Sequence, residues 1–343
     1  MSWRARWHDT DTPRVEVIAV QLQEAKDLLA RDTVTHARLA FILLDNAVEV
    51  VMFRDIKELL GWNPLYENVL KEWEEILRGT DDANVQAHYD EVKDQIVPNK
   101  LLRGSFPDKV DFLVAKGRLN SIEGGVVKKL HDYRTELYHH DHIRAATVHT
   151  ASLLYFELAC SIFERGKEPL IRPLREMASP AMERYRVPGD GGLMPSPATV
   201  VTHLRQDLDL DVARIKETLL THLISRLDEM EADIAWLTET LPAYGPELVI
   251  RLAQLLPKSS EYTSEGDFLW NFINGDKLKY SARDLGMWRQ NVENMRTLDD
   301  KLELFKEFAD VENKLEPLEV FVHDLVAQID HDIQREIDIR RGK

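Results

Sequence analysis

The chain has 343 residues, with 44 Lys+Arg against 60 Asp+Glu and a net charge of −16. Apolar residues make up 44% and charged residues 30%, which excludes a disordered chain and is enough for the cores of two domains. A single cysteine, Cys160, excludes a disulfide framework and any cysteine-rich zinc module. No apolar run approaches the ~20 residues of a membrane span, and Met1–Arg6 leads into no apolar signal region, so a cytoplasmic address is expected.

Glycine and proline are scarce, and apolar residues recur at helical spacing almost throughout, which predicts an all-α fold. The first helix is expected over Val15–Arg31 and the second over Val34–Leu60, stopped by Gly61 and Pro64. Weaker helices are expected at Leu65–Arg78, Val85–Gln95 and Pro107–Lys116. Stronger ones follow at Ile122–His139, started by Asn120-Ser121 with Glu123, and at His142–Arg165. The densest Gly/Pro stretch, Arg186–Pro197, reads as a linker. It divides the expected domains, a helical bundle over 1–187 and a second helical domain over 199–343, with the linker at 188–198.

Beyond the linker, Val201, Leu204, Leu208, Val212, Ile215, Leu219, Leu223, Leu227, Met230, Ile234, Leu237 and Leu241 predict one amphipathic helix of about 40 residues. From Leu223 the 4-3-4-3-4 spacing suits a seam with another helix. A compact region with Trp270, Phe272, Trp288, Phe305 and Phe308 precedes a closing helix carrying Leu318, Phe321, Leu325, Ile329, Ile333 and Ile337. Residues 1–187 carry 26 − 30 = −4 and residues 188–343 carry 18 − 30 = −12. The second half therefore repels nucleic acid and reads as a module for oligomerisation or partner docking, or as a guard over the basic strip Lys100–Arg134, its long helix being either the best interaction surface or an ordinary core helix.

One segment concentrates chemistry: Leu130-His-Asp-Tyr-Arg134-Thr-Glu-Leu-Tyr138-His139-His140-Asp141-His142. It closes a strip, Lys100–Arg134, whose charge is 8 − 4 = +4 in an otherwise acidic chain. Arg134 offers a permanently charged fork suited to a phosphate, and His139 can exchange a proton near neutral pH. Together they suffice for metal-free cleavage of RNA, where the 2′-OH is the built-in nucleophile. On an ideal helix the two residues lie about 140° apart. They converge only if the helix frays near Tyr138 or if a second chain completes the site. Tyr138, four positions on, shares the arginine's face.

The stretch Arg134-Thr-Glu-Leu-Tyr-His139 resembles the Arg, four to six residues, His motif of HEPN domains. Lys109–Ser121 resembles the short helix and turn before the motif helix, and Leu39–Met52, with Asp45, Asn46 and Glu49, resembles the long central helix with its buried acidic positions. The resemblance spans roughly residues 15–168. It implies an up-and-down helical bundle, usually dimeric, often a metal-independent endoribonuclease of toxin-antitoxin, abortive-infection or antiviral systems. Many relatives act only as binding modules. Thr135 departs from the Asn, Asp or His that often follows the arginine. Asp141 departs from the tyrosine of the nucleotidyl-modified subgroup.

The site expected from these residues is Arg134 as phosphate clamp and His139 as proton-transfer residue, with Tyr138, Thr135, Asp45 and Glu49 in support. No cofactor or metal is expected. The expected partners are an RNA substrate, a second copy or higher oligomer, and a protein partner or antitoxin. Plainer readings exist for each group. Arg134 could pair with Asp132, Glu136 or Asp141 on a wet helix face. Asp45 and Glu49 could form a structural ion pair with Arg38 or Arg134. His139 and His142, with His131 and His149 near in sequence, could hold a metal, though a solvated helix end is the expectation. Cys160, in an apolar run, is expected to be a buried inert thiol.

Overall fold

The computed structural model describes residues 12–79, 82–139, 145–166, 180–186, 194–206, 211–257, 265–274 and 278–341. The described residues are helical with no strand, as the periodicity predicts. The chain forms two compact units, Met1–Leu210 and Asp211–Lys343. The N-terminal unit thus extends past the expected linker. Most of that linker, 187–193, lies outside the described residues.

In the N-terminal unit, α1 (Thr12–Leu29) packs on α2 (Val34–Gly61), and α2 packs along α7 (Val148–Arg165). Thr33 starts α2 by accepting from the His36 N–H, the usual role of a threonine N-cap. Asp32, in the turn before it, takes a positive φ of 47°, which aspartate tolerates better than most residues. Phe41, Leu44, Val48, Val51, Met52 and Ile56 form the buried face of α2. α3 (Asn63–Leu77) and α4 (Ala83–Gln95) pack on each other. The buried Asn63 side chain holds the Val97 backbone through both its groups, at 2.8 and 3.0 Å.

α5 (Phe106–Ala115) starts at a Ser105–Asp108 capping box. α6 (Ser121–His139) starts where the sequence signal placed it. Asn120 and Glu123 exchange backbone–side-chain hydrogen bonds at 2.9 Å each, and Glu123 also meets Arg165 of α7 at 2.8 Å. A Cβ at Gly124 would lie 2.6 Å from the Val114 side chain, so glycine lets α6 approach α5 closely. α7 starts at Val148 rather than the expected His142, and 140–144 lie outside the described residues.

The expected 40-residue helix is two helices. α8 (Pro197–Leu204) ends at Arg205, and α9 (Val212–Thr240) starts at Asp211, whose side chain accepts from the Ala213 N–H. Three interactions hold α8 in the N-terminal unit. Val200, Val201 and Leu204 are buried, and Arg205 reaches Glu164 at 2.8 Å and Glu157 at 3.1 Å on α7. Period counting carried the pattern across this break because apolar spacing alone does not register a cap.

In the C-terminal unit, α9 packs along α13 (Lys301–Arg340), with α10 (Pro246–Leu255) and α12 (Ala282–Met295) against both. The periodic face of α9 is buried from Ile215 to Leu237. The predicted seam is therefore occupied by the unit's own core and is not a free docking surface. α13 begins earlier than expected, so Phe305 and Phe308 share one helix with Leu318 and Leu325, and Pro317 sits inside it. Trp288, Phe305 and Phe308 are core residues, whereas Trp270, on α11 (Glu265–Asn274), is 64% exposed. Among the described residues no helix is long and apolar enough to cross a membrane.

Candidate functional site

The site is built on Asp45, a carboxylate with no exposed surface in the middle of α2. An unpaired charge there would cost several kcal/mol, on the order of the 3–5 kcal/mol lost when one partner of a buried pair is removed. Three side chains prevent that. The Tyr155 hydroxyl of α7 donates to Oδ1 at 2.6 Å. His131 Nδ1 of α6 lies 3.1 Å from Oδ1 and 3.2 Å from Oδ2. Arg134 Nε lies 3.4 Å from Oδ2, an ion pair that falls short of a hydrogen bond. Burial pushes the Tyr155 hydroxyl well above its ordinary pKa, and the Asp45 charge and hydrogen bond push it further, so Tyr155 stays a donor.

Helical spacing explains why these groups meet. His131 and Arg134 are three apart on α6 and present one face to α2. Asp45 and Glu49 are four apart on α2 and present one face back. Glu49 Oε1 lies 3.7 Å from His131 Nδ1, with its side chain 41% exposed. Phe106, at the start of α5, stacks on the imidazole at 3.8 Å between centroids and 11° between planes, fixing its orientation. Phe106 and Glu49 line an open cleft of about 220 Å³ together with Val50, Met52, Phe53 and Lys109.

The other expected residues are placed as follows. Arg134 is 28% exposed on its side chain, and its guanidinium lies 5.1 Å from the centroid of the Tyr138 ring, so arginine and tyrosine share a face as expected. Tyr138 is 61% exposed. Thr135 turns inward and donates to the His131 carbonyl at 3.1 Å. Arg38 donates to the Leu137 carbonyl at 2.6 Å and so ties α2 to the last turns of α6. The backbone of α6 is helical through His139. The side chain of His139, and His140, Asp141 and His142 altogether, lie outside the described residues. The helix does not fray at Tyr138, so the backbone positions of Arg134 and His139 stay about 140° apart around its axis.

Arg134 makes a long-range pair with Asp45, and Asp141, one of the sequence neighbours considered for it, lies outside the described residues. His149 lies apart from this cluster, 3.4 Å from Asp32 and 3.3 Å from the Leu29 carbonyl. The basic strip is partly neutralised from outside, because Arg118 pairs with Glu58 at 3.3 Å, while Lys128 pairs with Asp111 within the strip. Cys160 is buried, and burial pushes its thiol up to about 12, which keeps it protonated and unreactive.

Sequence reasoning missed one member of the site and placed another in the wrong cluster. Tyr155 is embedded in an apolar run and carries no local signal. His131 was read only as a neighbour of the His139–His142 run, although its position three residues before Arg134 puts both on one helix face. No family model matches this chain, and no curated protein or solved structure is significantly similar to it.

Proposed function

We propose that the chain is a metal-independent endoribonuclease of HEPN type, acting in a bacterial defence or toxin system. The observation that carries this reading is the anchored arginine. Arg134 is held at 3.4 Å by a buried aspartate, stays 28% exposed, and lies on the helix whose last turn bears His139. In the proposed reaction one His139 takes the proton from a ribose 2′-OH. The 2′-oxygen attacks phosphorus, and the P–O5′ bond breaks. A second imidazole protonates the departing 5′-oxygen, leaving a 2′,3′-cyclic phosphate and a 5′-OH. Arg134 balances the charge that builds on the phosphoryl oxygens.

Because α6 is intact through His139, a second copy of the chain is the route by which Arg134 and His139 reach one phosphate. The reading therefore includes a symmetric homodimer or higher oligomer, with an RNA substrate and a protein partner or antitoxin that restrains it. Purified protein is expected to cleave RNA in EDTA with cyclic phosphate ends, and Arg134→Ala or His139→Ala is expected to abolish cleavage while the far-UV spectrum is unchanged. Absence of cleavage by the wild type, with and without EDTA, would sink the enzyme reading. The pairing of Arg134 with Asp45 also favours a second reading, a non-catalytic HEPN-like scaffold in which Arg134 serves the fold. That scaffold would bind a partner in a defence complex and lose stability, not activity, on Arg134→Ala.

A further inference from the structure

We propose that Asp45, Glu49 and His131 form a binding site for a divalent transition-metal ion, independent of the nuclease reading. Their ligand atoms, one imidazole nitrogen and one oxygen from each carboxylate, all lie within 4.8 Å of one another. Metal–ligand bonds of about 2.0–2.2 Å place tetrahedral ligand atoms roughly 3.3–3.6 Å apart. The separations of His131 Nδ1 from Asp45 Oδ1 and Glu49 Oε1, 3.1 and 3.7 Å, bracket that spacing. Both carboxylates thus flank one imidazole nitrogen, and a bound ion would need only small side-chain shifts to bring all three atoms to that spacing.

Hydrogen bonding ties His131 to Asp45 and leaves the Glu49 contact outside it. His131 Nδ1 carries at most one proton, yet three oxygens from two carboxylates converge on it, at 3.1, 3.2 and 3.7 Å. Two like charges facing one nitrogen repel each other, and Arg134 lies against the Asp45 carboxylate. A divalent cation would offset that repulsion and take the lone pair of a neutral imidazole.

The surroundings supply what ligand residues need. Tyr155 on Oδ1 and Arg134 on Oδ2 fix the Asp45 carboxylate while leaving Oδ1 a second lone pair. Phe106 fixes the imidazole plane. Glu49 gives access, since it is partly exposed and lines the cleft, so an ion with three protein ligands would keep an open position on that side. The donor set of one nitrogen and two oxygens suits zinc, cobalt, manganese or iron better than a soft ion.

The test is a titration of the full-length protein with Co²⁺ alone, followed by visible absorption, with Zn²⁺ as competitor and no RNA present. One Co²⁺ per chain, displaced by Zn²⁺, is expected. Glu49→Gln and His131→Gln should each weaken binding at least about tenfold, since even residues behind the ligands contribute 10–100-fold. Glu49 is exposed enough that its variant reports binding and not folding, which circular dichroism checks. A His139→Ala/His142→Ala variant should still bind. No stoichiometric Co²⁺ binding by the wild type, undiminished binding by Glu49→Gln, or loss of binding confined to the His139/His142 variant would each overturn the site. Cleavage in EDTA is a separate readout, so this proposal and the nuclease reading stand or fall apart.

Discussion

Among the described residues each unit buries one carboxylate completely, Asp45 in the first and Glu312 in the second, and the two are satisfied in different ways. Glu312 on α13 meets Arg226 of α9 at 3.0 Å, and the same guanidinium reaches Glu319, two helical turns on, at 2.9 Å. Arg226 is only 15% exposed and bridges two carboxylates of one partner helix, a clamp that staples α9 to α13. Asp45 gathers ligands from two helices, and its neighbours Glu49 and Arg134 reach solvent. A closed pair holds helices together; an open one leaves charge where a ligand can arrive. That difference, and not burial itself, distinguishes a structural ion pair from a candidate site.

The sharpest way to break the comparison is to remove one charge from each cluster. Asp45→Ala and Arg226→Ala should each cost about 3–5 kcal/mol in urea unfolding, because a buried charged or polar partner is stranded. The double change Arg226→Met/Glu312→Leu should recover most of that loss, since a closed pair can be replaced by packing. If it does not, the Arg226 cluster is more than a staple.

Asp55, ten residues after Asp45 on α2, supplies a third case. Burial raises its carboxyl to about 6, and Glu58 adds to the rise, against the lowering effect of Arg118, Arg54 and Arg165. The folded state therefore holds a proton that the unfolded state releases near 3.8. Stability from this group is present below about 4 and is lost as pH rises to about 6, by up to about 3 kcal/mol. Asp55→Asn should remove that slope and leave the protein more stable than wild type at pH 7, as urea midpoints between pH 4 and 7 would show. An unchanged slope would mean that the neighbouring arginines offset its burial.

The smallest effect sharpens the picture at Asp45. Tyr155→Phe removes one donor to the carboxylate and should cost about 1.5–3 kcal/mol, the range for hydrogen bonds to charged groups. A loss well below that would show that His131 and Arg134 suffice to hold Asp45.

Much of the scaffold was legible in advance. Helix period and caps located α2, α6 and the buried face of α9, because apolar spacing and the Asn120–Glu123 signal act within a few residues of chain. Asp45 and Glu49 were legible as carboxylates interrupting an apolar helix, which is costly unless a partner answers them.

Their partners were not legible. His131 meets Asp45 across 86 positions and Tyr155 meets it across 110, and no local pattern encodes which helix faces which. The same limit explains the break between α8 and α9, where Arg205 is drawn to α7 and ends a run that period counting extended. The sequence by itself determined that the chain is helical, where most of its helices begin, and that α2 carries charge into a core. Only the tertiary structure decided that His131 stands between Asp45 and Glu49. The reason is that side-chain convergence depends on how helices pack, and packing is settled by the whole buried surface at once.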